Sequence, residues 1–204
     1  MATIRGIRPL DGDRLVLVGE DHGRSALLVD GVVQSISPAD AVRRGGYWAA
    51  MLPANPPRRA LILGLGGGTI ANLLARQWGT AQMEIVGVDH SDAVVDSASA
   101  LEWLDLPNLT VVRSDAFDFV ERCEQRFDYV AVDLYEGPDL VGQVLTKPFL
   151  QRLRERLGPP GTVAFNLFVD SRLERRVARL ARVLQVERRV IVGSNLVVHA
   201  RARR

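Results

Sequence analysis

Short apolar runs alternate with helical patterns along most of the chain. The runs with the length of buried strands are 60–63, 83–88, 109–112, 127–132 and 162–167. Repeated strand–helix units predict a parallel sheet with helices on both faces. Two more apolar runs, 186–192 and 196–200, are joined only by Gly193-Ser194-Asn195. A turn that short predicts an antiparallel pair at the end of a seven-stranded sheet.

The first part of the chain has a different pattern. Its apolar runs are 15–18, 26–29 and 32–35. They are joined by turn residues such as Asp30-Gly31 and therefore predict a small β-hairpin region. A helical pattern at 38–52 follows, interrupted by two glycines at 45–46 and ended by prolines. We therefore expect a strand and helix region at 1–57 and an α/β domain at 58–204.

Composition and charge limit the functions that the protein can be expected to have. The net charge of +2 does not indicate a strong positive field that would attract nucleic acid. The arginines within 172–182 fall largely away from the apolar face of a predicted helix, and we expect them to face solvent. Cys123 is the only cysteine, which excludes an intrachain disulfide and fits the cytoplasm. The chain shows neither a signal-peptide pattern nor an apolar run of membrane-spanning length.

The strongest chemical signal is a glycine loop between the first long strand and its helix. Glycines let the chain turn sharply and let a ligand lie on the backbone, and a helix N-terminus supplies N–H donors. Thr69 stands where the dinucleotide-binding fingerprint requires its third glycine. The spacing of Gly64, Gly66 and Gly68 resembles instead the loop under the amino-acid part of S-adenosylmethionine. A purely structural turn is the alternative interpretation.

Two acidic residues follow the next two strands. Asp89 ends the second strand, where a carboxylate can accept hydrogen bonds from both ribose hydroxyls. Asp115 and Ala116 follow the third strand, where class I methyltransferase folds commonly place an acid against the adenine amino group. Asp89 and Asp115 could also cap helices. Since ligands bind at the carboxyl ends of parallel strands, we expect one adenosyl site there.

Asp133, Tyr135 and Glu136 follow the fourth strand and precede Gly137-Pro138. This segment resembles the spermidine synthases (polyamine aminopropyltransferases), whose pattern is an Asp, two residues, a second Asp and Gly-Pro. Here the second acid is Glu136 and the spacing to Gly-Pro is shorter.

The resemblance extends over nearly the whole chain. Gln34, in a Gly-Val-Val-Gln run, and Tyr47, in the helix before the glycine loop, are similar to family positions. Two features depart from the family. The long loop between the last two strands is reduced to Gly193-Ser194-Asn195, and Trp48-Ala49-Ala50 replaces an acidic residue after the tyrosine. The closest likeness is to short, divergent members of the family.

The resemblance implies a class I methyltransferase fold, a homodimer and an alkyl transfer without a metal. The donor is S-adenosylmethionine or its decarboxylated form, and the acceptor is a small amine. Asp133 is the candidate base, Tyr135 and Glu136 are candidates for orienting the amine, and Gln34 and Tyr47 are candidates for binding it. The aminopropyl reaction is the preferred hypothesis. Methyl transfer to a small molecule, RNA methylation and a non-catalytic assembly role are the alternatives.

Overall fold

The computed structural model describes residues 7–9, 15–21, 23–44, 46–136 and 139–203. The strands are β1 (Ile7–Pro9), β2 (Leu15–Asp21), β3 (Arg24–Val29), β4 (Val32–Ile36), β5 (Arg59–Leu63), β6 (Glu84–Asp89), β7 (Leu109–Arg113), β8 (Phe127–Val132), β9 (Tyr135–Glu136), β10 (Asp139–Leu140), β11 (Leu157–Phe168), β12 (Leu184–Val192) and β13 (Asn195–Ala202). The helices are α1 (Pro38–Arg44), α2 (Gly46–Ala50), α3 (Thr69–Trp78), α4 (Asp92–Ala100), α5 (Ala116–Arg122), α6 (Lys147–Arg156) and α7 (Leu173–Ala181), with a 3₁₀ turn at Gly142–Leu145.

The central sheet has seven strands in the order β12-β13-β11-β8-β5-β6-β7. The five strands from β11 to β7 are parallel, while β13 pairs antiparallel with both β11 and β12. The predicted sheet with its antiparallel C-terminal hairpin is therefore confirmed. Because the parallel strands end at one edge, the segments that follow β5, β6, β7, β8 and β11 meet there.

Strand β5 shows how the core is divided. Its side chains alternate between the two faces of the sheet. Leu61 and Leu63 pack in a cluster with residues of α5, α6 and α7, whereas Ala60 and Ile62 pack with residues of α2 and α3. All four are fully buried. The four consecutive apolar residues 60–63 are thus explained by helices on both sides of the sheet.

The N-terminal region forms a separate sheet in the order β1-β2-β3-β4. The predicted turn at Asp30-Gly31 is confirmed, with φ values of 50° and 78° that suit a tight two-residue hairpin. Leu27 and Val29 of β3 are buried against Val94 of α4. The sequence did not predict β1, which is only three residues long.

Regular structure is interrupted at three places. Helix α4 ends at Ala100, because residues 101–104 form turns and Glu102 takes a positive φ of 59°. The segment 158–161 is part of β11, with a register irregularity between Leu157 and Thr162. The predicted interruption of helix 38–52 separates α1 from α2, although Gly45 itself lies outside the described residues.

Gly64 should be indispensable to the fold because of its place beside Asp133. It has a φ of 84°, and an added Cβ would collide with the carbonyl oxygen of Asp133. We expect Gly64→Ala to lower the free energy of unfolding by roughly 3 kcal/mol or more. Denaturant titration of the two proteins measures the change.

Gly79→Ala is the matched control for this substitution. Gly79 has a similar φ of 77°, but a Cβ there meets nothing within 4 Å. Only the cost of a positive-φ backbone conformation that side chains rarely adopt remains, about 1–3 kcal/mol. Equal losses in the two variants would show that the contact with Asp133 does not matter.

Candidate active site

A cavity of about 1220 Å³ lies at the carboxyl edge of the parallel strands. It brings together the residues that the sequence analysis singled out from five strands, with one exception. The predicted site residues that line it are Gln34, Tyr47, Gly64, Gly66, Asp89, Asp115, Ala116, Asp133, Tyr135 and Glu136. Gly68 is not among its lining residues; it lies at the N-cap of α3, where a Cβ would meet Leu104.

The glycine loop turns through three left-handed residues. Gly64, Gly66 and Gly68 have φ values of 84°, 54° and 79°, which side chains rarely tolerate. The N–H groups of Gly64 and Leu65 both donate to the Val88 carbonyl oxygen, at 3.0 Å each.

The remaining loop N–H groups also have protein acceptors. Gly68 donates to the Leu65 carbonyl oxygen at 2.9 Å. Gly66 donates to Asp89 Oδ2 at 2.8 Å, and Gly67 donates to Ser35 Oγ at 2.6 Å. All five backbone N–H groups from Gly64 to Gly68 are therefore engaged within the protein.

Asp89 is held in place by the loop that it faces. Its Oδ2 accepts from Gly66 N–H, and its Oδ1 accepts from Ser91 N–H at 2.9 Å. A carboxylate oxygen has more than one lone pair, so both oxygens keep acceptor capacity toward the cavity. The predicted alternative role for Asp89, a helix cap, falls instead to Ser91, whose hydroxyl accepts from Val94 N–H.

Asp115 both lines the cavity and caps α5. Its Oδ1 accepts from Phe117 N–H at 2.8 Å and from Asp118 N–H at 3.0 Å. Both capping bonds use the same oxygen, which fixes the carboxylate at the wall of the cavity. Ala116, the first residue of the helix, is buried beside it.

Asp133 follows β8, and its carboxylate has a raised pKa. Tyr47 donates its hydroxyl to Asp133 Oδ2 at 3.1 Å, and Asn166 donates Nδ2–H to Oδ1 at 2.8 Å. Burial raises the pKa of Asp133 from 3.8 to about 6, while hydrogen bonds from Asn166, Tyr47 and Trp48 oppose that rise. Burial also raises the pKa of Tyr47 well above its usual value, so Tyr47 is a neutral donor.

The sequence analysis missed two amides behind Asp133. Asn195 donates Nδ2–H to Asn166 Oδ1 at 2.9 Å, and Tyr135 donates its hydroxyl to the Asn166 carbonyl oxygen at 3.1 Å. Asn166 is a lone polar residue in the apolar run Val163–Phe168. A buried amide in such a strand needs hydrogen-bond partners, and this signal could have identified it.

The remaining predicted residues lie around the rim. Tyr135 stacks edge-on against Phe168, with ring centroids 5.0 Å apart, and burial raises its pKa. Glu136 is exposed and pairs with Asp139 across β9 and β10, a short hairpin that the sequence did not predict. The predicted Gly137-Pro138 motif lies outside the described residues.

The cavity wall is predominantly acidic. Its carboxylates among the described residues are Asp89, Asp92, Asp115, Asp133 and Glu136. Against them stand Arg24 and His90. Such a wall favours cationic ligands. Within the part of the chain that the structure describes, no group of three or more His, Cys, Asp or Glu could hold a metal ion.

None of the helices in the described ranges has both the length and the apolar character that crossing a bilayer requires.

Comparison with known proteins gives sequence relatives. The chain is 30% identical over 125 residues to a polyamine aminopropyltransferase of Vibrio vulnificus, covering 58% of this chain and 41% of the relative. It is 30% identical over 140 residues to a probable polyamine aminopropyl transferase of Bifidobacterium longum, covering 66% and 30%. The chain therefore spans less than half the length of these relatives. No protein-family model matches it.

Solved structures show the same fold. The spermidine synthase of Thermotoga maritima superposes with a TM-score of 0.73 at 14% identity, covering 98% of this chain and 72% of that one. Human methyltransferase-like protein 13, in complex with SAH, gives 0.60 at 19% identity, covering 79% and 82%. The chain is thus related in sequence to the polyamine aminopropyltransferases and has the class I methyltransferase-like fold of the spermidine synthases.

Proposed function

We propose that this protein transfers an aminopropyl group from decarboxylated S-adenosylmethionine to an amine of a polyamine. The observation that carries the proposal is the partly buried Asp133 carboxylate, which shares one cavity with Gly64, Gly66, Asp89 and Asp115. The names of the sequence relatives support the choice of reaction.

The reaction is an in-line displacement at carbon. The lone pair of a neutral amine forms a C–N bond to the aminopropyl carbon next to the sulfonium. The C–S bond breaks, its electron pair goes to sulfur, and methylthioadenosine leaves. The new ammonium then loses one proton. The protein must align the two substrates and accept that proton.

Asp133 suits the role of proton acceptor. Its pKa of about 6 leaves the carboxylate mainly ionised at neutral pH, yet more basic than an ordinary aspartate. The hydrogen bonds from Tyr47 and Asn166 hold both oxygens in fixed positions. Activity should therefore be present above pH 6 and decline as the pH falls through that value, because the protonated acid cannot accept another proton.

The donor pocket follows from the acids around the loop. We propose that Asp89 accepts hydrogen bonds from the ribose hydroxyls and that Asp115 with Ala116 meets the adenine. Gly64 and Gly66 line the same cavity beside Asp133. Gly68 would act indirectly by shaping the turn into α3.

The loop hydrogen bonds favour the decarboxylated donor. Intact S-adenosylmethionine carries a carboxylate that needs cationic or N–H partners. All five N–H groups of Gly64–Gly68 already donate within the protein. The decarboxylated donor keeps the ammonium without the carboxylate, and the acidic wall suits it.

The acceptor side combines aromatic rings with carboxylates. Tyr47 and Trp48 have ring centroids 4.4 Å apart, and both line the cavity with Tyr135 and Glu136. Aromatic faces and carboxylates attract alkylammonium groups. We propose that Tyr135 and Glu136 orient the amine and that Gln34 and Tyr47 help to bind it. By the same resemblance we propose a cytoplasmic homodimer that uses no metal.

Replacing the proposed base should affect turnover more than binding. We expect Asp133→Asn to lower kcat about 10²- to 10⁴-fold, because the amide cannot accept the proton. The Kd for methylthioadenosine, measured by calorimetry, should change less than about threefold, which is about 0.7 kcal/mol. Asp128→Asn is the control, since Asp128 lies near the start of β8 and accepts from the N–H groups of Arg58 and Arg59, whereas Asp133 follows the other end of the strand. Equal losses of turnover and binding in the Asp133 variant would contradict the assigned role.

Tyr47 should set the acid limit of the reaction. Its hydroxyl lowers the pKa of Asp133, so Tyr47→Phe should move the acid limb of kcat/KM from about 6 to a higher pH. Tyr129→Phe is the control, because that hydroxyl donates to the Met51 carbonyl oxygen. An acid limb that stays in place in Tyr47→Phe, or moves equally in both variants, counts against Asp133 as the titrating group.

The donor assignment can be tested by binding alone. Calorimetry should rank decarboxylated S-adenosylmethionine and methylthioadenosine at least tenfold tighter than intact S-adenosylmethionine, a difference of about 1.4 kcal/mol. The reason is the absence of an unengaged loop N–H for the carboxylate. Preferential binding of intact S-adenosylmethionine would overturn the aminopropyl reaction and favour methyl transfer.

A further inference from the structure

Two asparagine side chains form a directed chain of hydrogen bonds that ends on Asp133. Asn195 begins β13, and Asn166 lies on the adjacent strand β11. Asn195 Nδ2–H donates to Asn166 Oδ1 at 2.9 Å, and Asn166 Nδ2–H donates to Asp133 Oδ1 at 2.8 Å. Asn166 is 2% exposed and Asn195 is 9% exposed. Water therefore has little access to these two side chains.

The direction of the chain matters because an amide has two ends of almost the same shape. Turning Asn166 by half a revolution would place Oδ1 against the Asp133 carboxylate, and two acceptors would then face each other. Sterics alone do not select the orientation. The two neighbours do so together, because Asp133 needs Asn166 Nδ2–H on its side and Asn195 needs Asn166 Oδ1 on the other. Hydrogen bonds aligned head to tail also polarise one another.

We propose that Asn195 is a positioning residue, which acts through Asn166 to keep the Asp133 carboxylate aligned and ionised. The catalytic consequence rests on the proposed function, whereas the effect on Asp133 itself does not. Asn195 follows directly on the Gly193-Ser194 turn between β12 and β13 and pairs with Val192 across it.

The titratable groups near Asp133 should not change their charge in the pH range in which Asp133 titrates. Tyr47 from α2, Tyr129 on β8 and Tyr135 on β9 interact with Asp133, and each has a raised pKa. These tyrosines stay neutral near pH 6, where Asp133 titrates. A change in the pKa of Asp133 after substitution at Asn195 would therefore reflect hydrogen bonding.

The direct test measures the titration of Asp133 by carbon NMR of protein labelled at the aspartate carboxyl carbon. The Asp133→Asn spectrum identifies its signal. Asn195→Leu removes the donor while keeping the number and branching of the side-chain heavy atoms, and it adds no charge. We expect this variant to raise the pKa of Asp133 by about half a unit to one unit, because the Asn166 amide is no longer held in one orientation. Turnover at pH 6 should fall about two- to sixfold, with less than a twofold change at pH 8.

A second variant and a control guard against general disruption. Asn195→Asp is nearly isosteric but presents acceptors and a negative charge to Asn166, so it should raise the pKa of Asp133 further than the uncharged Asn195→Leu does. Asn108→Asp is the control, since Asn108 donates to the Met83 carbonyl oxygen away from this cavity. The control should leave Asp133 unchanged.

A double-mutant cycle tests whether Asn195 acts through Asn166. In an Asn166→Ala background, Asn195→Leu should shift the pKa of Asp133 by less than about 0.2 unit, because the intermediary is gone. A shift as large as in the native background would overturn the proposal, as would an unchanged pKa in the single variant. If no amine is ever turned over, the proposed function fails while the NMR result still decides this inference.

Discussion

The site depends on the cost of burying one carboxylate at the end of a parallel strand. Asp133 loses hydration in the cavity, and its raised pKa expresses that loss. The protein offsets part of the cost with donors from α2 and β11, which are far from β8 in sequence. The sheet order β11-β8-β5 brings these elements to one edge. The acid is therefore basic enough to take a proton only because the fold is correctly assembled around it.

The glycine loop illustrates how closely backbone and chemistry are joined. Gly64 touches the Asp133 backbone, and Gly66 binds the Asp89 side chain. The left-handed turns of the loop are consequently fixed by contacts on both sides. The N–H groups of the loop donate to acceptors within the protein, whereas a loop that binds an anion keeps its N–H groups available for the ligand. A preference for a donor without a carboxylate follows from this difference.

Much of the sheet and most of the cavity could be predicted from the sequence. Apolar runs of strand length, together with helical periodicity between them, specified the parallel strands, and the short turn specified the C-terminal hairpin. Acids directly after strands had to meet at one edge, so Asp89, Asp115 and Asp133 could be placed together. Asn166 and Asn195 could not be paired in this way, because their contact depends on the antiparallel register of β11 and β13. Gly68 was assigned to the ligand surface by spacing alone, but the turn points it toward Leu104.

The link between the N-terminal sheet and the glycine loop has a consequence for modularity. Ser35 accepts from Gly67 N–H, and Thr69 exchanges two hydrogen bonds with the Ile36 backbone. Strand β4 thus stabilises the conformation of the glycine loop. A chimera that carried the α/β domain without β4 would leave the Gly67 N–H and the Thr69 hydroxyl without these hydrogen-bond partners. Sequence changes in β4 should therefore be constrained by the geometry of a turn more than thirty positions away.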